Sequence, residues 1–219
     1  MPCLPIYDGH KLVKKPGNAP IFPESFLREI SMIRAVAAAA TAVLLVGAAF
    51  AGTDMNFPTF TGINVHGGGS VVLRHGAVQR VTVIKGDLSK IDLHITGNTL
   101  DISPCKRWLS CWGSNPLEVE IVSPRIDGLD IHGGGELKAV GDFPRQPSLR
   151  VDVHGGGDLD ARAIPAENVS ANVHGGGDAY VNAVTSLNAE VHGGGDLTYV
   201  GNPPRISSQT HGGGSIHKE

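Results

Sequence analysis

The sequence predicts an all-β, single-domain parallel β-helix (β-solenoid) with rungs of about 20 residues. Three observations carry that expectation. The tetrapeptide His-Gly-Gly-Gly occurs six times, beginning at His66, His132, His154, His174, His192 and His211. The last five copies start 22, 20, 18 and 19 residues apart. No stretch beyond residue 51 keeps a helical apolar period, so helix content should be near zero.

The elements follow in order. Phe57, Phe60 and Ile63 open the domain, and Thr61 to Val65 leads into the first tetrapeptide. The long gap before the second copy still alternates like strands, at Val71 to Leu73, Val81 to Ile84, Ile91 to Ile95, Leu100 to Ile102 and Leu117 to Val122. Turn signals separate these runs around Gly86, Gly97 and Pro124. From Leu129 onward each unit has an alternating strand, then His and three glycines, a polar residue and a short exit strand. In the unit Leu149 to Val153, alternation places Leu149, Val151 and Val153 inward and Arg150 and Asp152 outward. One unit is too short to bury its apolar face alone, but stacked copies bury theirs against each other. Three glycines at a corner cost about 0.5–1 kcal/mol each relative to alanine. Six repetitions of that cost imply that the corner requires them.

The N-terminal region reads differently. Met32-Ile33-Arg34 precedes an apolar run through Phe50, closed by small residues at Ala49 and Ala51. This pattern is that of a secretory signal peptide at residues 32–51, cleaved before Gly52. The alternative is a membrane anchor, for which the apolar run is short. Residues 1–31 carry five prolines and no periodicity, and are expected to be an over-extended start ahead of Met32. The remaining residues, 52–219, hold 13 Lys plus Arg against 18 Asp plus Glu. That acidic balance argues against nucleic acid as a partner. It fits an exported protein of the periplasm or cell surface, with no stable membrane insertion after cleavage. Cys105 and Cys111 bracket a short loop and read as a local disulfide in an oxidising compartment.

Beyond these patterns, the sequence resembles a known family. Phe60 to Val65 with its Gly-Ile-Asn, the run from Leu117 through Leu129 to Glu136, and the recurring Gly-Gly-Asp-Leu corners are similar to the GIN domain, an auto-transporter adhesin head domain. The resemblance extends from about Phe57 to His217. It departs where His-Gly-Gly-Gly replaces the usual Ser-Gly-Ser-Gly and where the Cys105–Cys111 loop is inserted. It implies an exported adhesion or scaffold module with an envelope or surface ligand and no established catalysis.

Four groups of residues are candidates for function. In-register corners would align His132, His154, His174, His192 and His211 in a ladder about 4.8 Å apart. Such a ladder could be structural, or could bind a transition-metal ion such as zinc, copper or nickel, for which imidazole is a favoured ligand. A single line of rings offers pairs of nitrogens more readily than a tetrahedral set, and no cofactor is otherwise implied. The acids after the corners, Glu136, Asp158, Asp178 and Asp196, suggest calcium by their stacking, yet lack the nine-residue period of calcium-binding repeats. Each is expected to accept backbone N–H groups of its own corner. Trp108 and Trp112, beside Lys106 and Arg107, are candidates for partner contact or for capping an open edge. Finally, His-Gly-Gly-Gly can form an oxyanion hole in esterases, but no Gly-x-Ser-x-Gly elbow accompanies it here. No enzyme is expected.

Overall fold

Alternation of apolar and polar residues sets strands throughout the described part of the chain, residues 52–106 and 116–219 of the computed structural model. The first seven strands are β1 (Thr53–Met55), β2 (Gly62–Gly67), β3 (Ser70–His75), β4 (Arg80–Lys85), β5 (Asp92–Thr96), β6 (Thr99–Ser103) and β7 (Glu118–Ser123). The repeats supply β8 (Gly128–Gly133), β9 (Glu136–Val140), β10 (Gln146–Gly155), β11 (Asp158–Gly175), β12 (Ala179–Gly193), β13 (Leu197–Val200), β14 (Arg205–Gly212) and β15 (Ile216–Lys218). Among the described residues there is no helix, hence none long and apolar enough to cross a membrane. That statement does not bear on membrane crossing by strands.

The all-β expectation agrees with this structure, but the parallel β-helix with rungs of about 20 residues does not. One mixed sheet runs β1-β4-β7-β3-β9-β11-β10-β8-β2-β6-β5, an open path of eleven strands forming an open half-barrel. Antiparallel pairings enter it at β1–β4, β4–β7 and β5–β6. The physical reason lies in the stretch between the first two tetrapeptides, which has no glycine corner. There Thr96 pairs with Thr99, leaving the two-residue turn Gly97-Asn98 to fold β6 back on β5 as a hairpin.

Elsewhere parallel pairing aligns the repeats residue for residue through the tetrapeptide, with register shifts in the β11–β12 pair between Asp160 and Pro165 and between Ala166 and Asn168. β2 pairs with β8, β8 with β10, β10 with β11, β11 with β12 and β12 with β14. Inward positions therefore form apolar columns. Ile63, Leu129, Val151, Ala171 and Ala189 make one, each fully buried. Val65, Ile131, Val153, Val173 and Val191 make the next. Beyond the corner Val71, Leu137, Leu159, Ala179 and Leu197 continue the core. The first column shrinks from Ile and Leu to Ala toward the C-terminal repeats, so close packing there rests on small side chains. Leu149, Val151 and Val153 are buried and Arg150 is exposed, as alternation requires.

The corner explains the first and third glycines of the motif. Gly175 has φ +132°, a conformation that L residues rarely adopt, and a Cβ there would lie 2.3 Å from the Gly155 carbonyl oxygen. Gly177 is held by contact: its Cβ would come within 2.1 Å of the Gly157 oxygen. Around a Cβ on Gly176 there is nothing within 4 Å. The Gly155 carbonyl accepts the N–H groups of Gly176 at 2.8 Å and Gly177 at 3.0 Å. The first and third glycines thus let one corner seat on the backbone of the preceding one.

Candidate functional site

Each tetrapeptide histidine is the penultimate residue of its strand, on the outer face, and the strand register places it beside the histidine of the next repeat. From His132 to His211 successive ring centroids lie 4.8 to 4.9 Å apart, with planes within 2–18° of parallel. His66 joins as a sixth member, 5.4 Å from His132, and its Nε2 lies 3.3 Å from Asp101 Oδ1. Burial holds the His132 imidazolium pKa below its ordinary value, and repulsion from His154 and His66 adds to the effect. Ring lone pairs lie in the ring planes, so those of parallel neighbours run side by side instead of converging. Among the described residues no group of three or more His, Cys, Asp or Glu is arranged to hold a metal ion.

A second column stands two residues before the histidines, on the same face. It runs Asn64, Asp130, Asp152, Asn172, Glu190 and Gln209, and Asp101 of β6 extends it beside Asn64, following the strand register. Asp152 points outward yet is only 3% exposed, because its neighbours close over it. It accepts hydrogen bonds from Asn172 Nδ2 at 2.7 Å and from Arg150 Nε. Burial pushes the Asp130 carboxyl up to about 6, aided by its hydrogen bond to Asp152 and by the Asp152 charge. Asp101 behaves oppositely. Burial would raise it, but hydrogen bonds from Thr96, His66 and Asn64 outweigh burial and hold it below the usual range. Asn64 Nδ2 donates to Asp101 at 3.0 Å. Its buried Oδ1 has no hydrogen-bond partner among the described residues.

Two of the acids after the corners, Asp178 and Asp196, act across repeats, which corrects for them the expectation that each serves its own corner. Asp178 Oδ1 accepts the Asp196 N–H at 2.9 Å, and Asp196 Oδ1 accepts the Ser215 N–H at 2.7 Å. Parallel register brings each carboxylate under the following turn. Hydrogen bonds from the Ser215 hydroxyl and then its N–H hold Asp196 below the ordinary carboxylate range.

Sequence reasoning missed a cleft of about 810 Å³ across β10, β11, β12 and β14. It is lined by Ser148, Asn168, Ser186 and Arg205 in one row and by Arg150, Ser170, Asn188 and Ser207 in another. Between the rows Leu149, Val169 and Leu187 turn into the core and are buried, and only Ile206 is exposed. Trp108, Cys111 and Trp112 lie outside the described residues, as does the segment 1–51. Neither the Cys105–Cys111 pair nor the tryptophan contact therefore has a described geometry.

The family model described as "Putative auto-transporter adhesin, head GIN domain" matches residues 59–147 and 145–203. A "putative adhesin" from Bacteroides fragilis NCTC 9343 is 19% identical, covering 77% of this chain and 96% of its own, with a TM-score of 0.42. A protein of Parabacteroides distasonis ATCC 8503 described as "putative lipid binding protein" is 16% identical, with coverages of 77% and 96% and a TM-score of 0.35. A "putative cell adhesion protein" from Clostridium sporogenes ATCC 15579 is 11% identical, with coverages of 76% and 98% and a TM-score of 0.33. Among curated proteins none matches the chain.

Proposed function

Because the chain belongs to the GIN head-domain family, we propose that it is an exported, non-catalytic binding module of the cell envelope, of the adhesion or scaffold type. The observation that carries this reading is the outer face, where like side chains stack on like in columns. Catalysis requires different groups converging on one reacting atom. A repetitive face instead offers the same contact many times over, which suits multivalent attachment.

Export through a signal peptide at residues 32–51, to the periplasm or cell surface, completes the proposal. Its support is the sequence pattern, together with a first strand that starts at Thr53, just past the proposed cleavage before Gly52. The Cys105–Cys111 disulfide belongs to the same reading and is supported by the disulfide-bonded state of Cys105. Trp108 and Trp112 are retained as partner contacts beside that loop. Cell fractionation with N-terminal sequencing tests export: the envelope or medium fraction should yield a chain starting at or beside Gly52. A cytosolic protein retaining residues 1–31 would refute it. Attachment of the exported protein to intact cells or isolated envelopes tests the binding role, and no retention on either would refute that.

Metal binding by the histidine column is the second reading, favoured by neighbouring imidazoles 4.8 to 4.9 Å apart. It requires rings to turn out of the stack so that two nitrogens converge. Calorimetric titration with zinc, copper and nickel separates the readings, since a purely structural column takes up no metal.

A further inference from the structure

The strand β14 leaves its outer edge open. Among the described residues it pairs only with β12, and all eight of its residues are exposed. Arg150 donates its N–H to the Asp127 carbonyl, on the β8 side, and Ser207 is its register equivalent through Ser170 and Asn188. N–H directions alternate along a strand, so those of Ile206, Ser208 and Thr210 point away from β12. From Ile206 to Ile216 the sequence has no Lys, Arg, Asp, Glu or Pro, the residues with which proteins commonly blunt a free edge. The other edges among the described residues are blunted. β1 has three residues and carries Asp54, and β15 has three and carries Lys218. β5 has five, with Asp92 beside His94 at 3.4 Å.

The core stops at this strand. Ser208 and Thr210 stand where the preceding repeat has Ala189 and Val191, so a further repeat stacked on β14 would meet polar side chains in its core columns. A partner strand that takes up the backbone edge needs no such core. It must match β14 in length and in lack of charge, and among the described edges only another copy of β14 does. Direction follows from Arg205, the one fully charged residue of the strand. Parallel pairing of two copies would set two Arg205 side chains together, whereas antiparallel pairing about a two-fold axis sends them to opposite ends. The inward hydroxyls of Ser208 and Thr210 then face their counterparts, a pairing that stabilises antiparallel strands. Head-to-tail association is closed. At the other end of the stack β6 pairs with β2, and the Leu117 carbonyl accepts the Ser70 N–H at 2.8 Å.

We propose that two copies of this chain pair through β14, antiparallel about a two-fold axis, so that one sheet runs through both. The faces carrying the histidine columns then lie on the same side, which suits multivalent attachment, although the pairing does not depend on that role. A single strand pair buries less than the roughly 1,200 Å² of stable complexes, so the dimer should be weak, with a dissociation constant of about 10–100 µM. The test is sedimentation equilibrium of the full exported protein from about 1 to 500 µM, a range that brackets this constant. The parent should show a monomer–dimer equilibrium. Ser208→Pro removes an outward N–H and leaves the ladder to β12 in place. Gln209→Lys brings two like charges together near the two-fold axis. Each should weaken dimerisation at least about tenfold, while melting temperatures of dilute samples stay near the parent's. If Ser208→Pro melts lower, Gln209→Lys decides. Val78→Lys, which removes a 73% exposed apolar side chain outside β14, should dimerise as the parent does. A parent that stays monomeric throughout, open-ended polymers, dimers unchanged in Gln209→Lys, or equal loss in Val78→Lys would overturn the proposal.

Discussion

The strands β8, β10, β11, β12 and β14 each lie beside a strand with the same tetrapeptide in register, whereas β4 and β7 pair with each other and with β1 and β3 across unrelated sequences. The first region is parallel throughout and stacks like on like. The second mixes parallel and antiparallel pairs. Register shifts occur in both, between Val83 and Lys85 in the second and within the β11–β12 pair of the first. Both bury alternating apolar residues, so the hydrophobic pattern does not distinguish them. The difference is the corner, where one glycine turn seats on the backbone of the preceding one and leaves a single register open. Without that seat, pairing follows turns and local strand lengths.

Core truncation should separate the regions most strongly. Leu159 is fully buried, between Leu137 and Ala179 in its column. Leu159→Ala should lower stability by about 2–5 kcal/mol, because the flanking columns cannot collapse into the space. Leu93 in the β5 edge hairpin is only partly buried, so Leu93→Ala should cost about 1 kcal/mol or less by the area it covers. Chemical denaturation of the two variants measures both values. Equal losses would erase the distinction between the regions.

The acid–amide column sharpens the comparison through pH. The folded-state pKa of Asp130 is raised to about 6, so the folded protein holds this proton more tightly than the unfolded chain. The resulting stability is present below the ordinary Asp value and is lost as pH rises through about 6. Asp130→Asn mimics the protonated group and can donate to Asn64 Oδ1 or Asp152. At neutral pH it should therefore stabilise the protein by about 1 kcal/mol, less than the full shift implies because water screens the half-exposed carboxyl. Melting curves across pH 4–8 should show variant and parent converging at the acid end. A variant less stable than its parent at pH 8 would contradict this account.

Within the histidine column, His132 should respond in the opposite direction. The depressed His132 pKa favours the neutral ring in the fold, so its contribution is present above the ordinary histidine value and lost as pH falls below it. Replacing His132 with Phe keeps a ring in the stack and removes the charge. The variant should lose less stability than the parent between pH 7 and 5, with the gap read from paired melting curves. Identical slopes would mean that the stacked rings do not sense each other's charge.

The histidine column was legible in the sequence because one residue type recurs at one offset from a glycine corner. His66 stood apart, since 66 residues separate it from His132 and only the β2–β8 pairing brings them together. The acid–amide column was not legible, because residue type changes from strand to strand through Asn64, Asp130, Asp152 and Asn172. Its available signal was the position two residues before each histidine, which is polar in every copy. Antiparallel pairing was missed for a related reason: alternation defines strands but not their neighbours. The cleft combines residues that are unremarkable singly and form rows only once the strands are in register.

The central claim is that the first and third corner glycines, and not the second, seat each repeat on the one before it. Thermal unfolding of Gly175→Val, Gly176→Val and Gly177→Val, measured side by side, tests it most directly. Strain and backbone collision at Gly175 and Gly177 should each remove about 1–3 kcal/mol or more, lowering the melting temperature by about 2–4 °C per kcal/mol. Gly176→Val, facing open space, should melt close to the parent. If Gly176→Val melts as low as Gly177→Val, or if all three melt with the parent, the corner does not set the register.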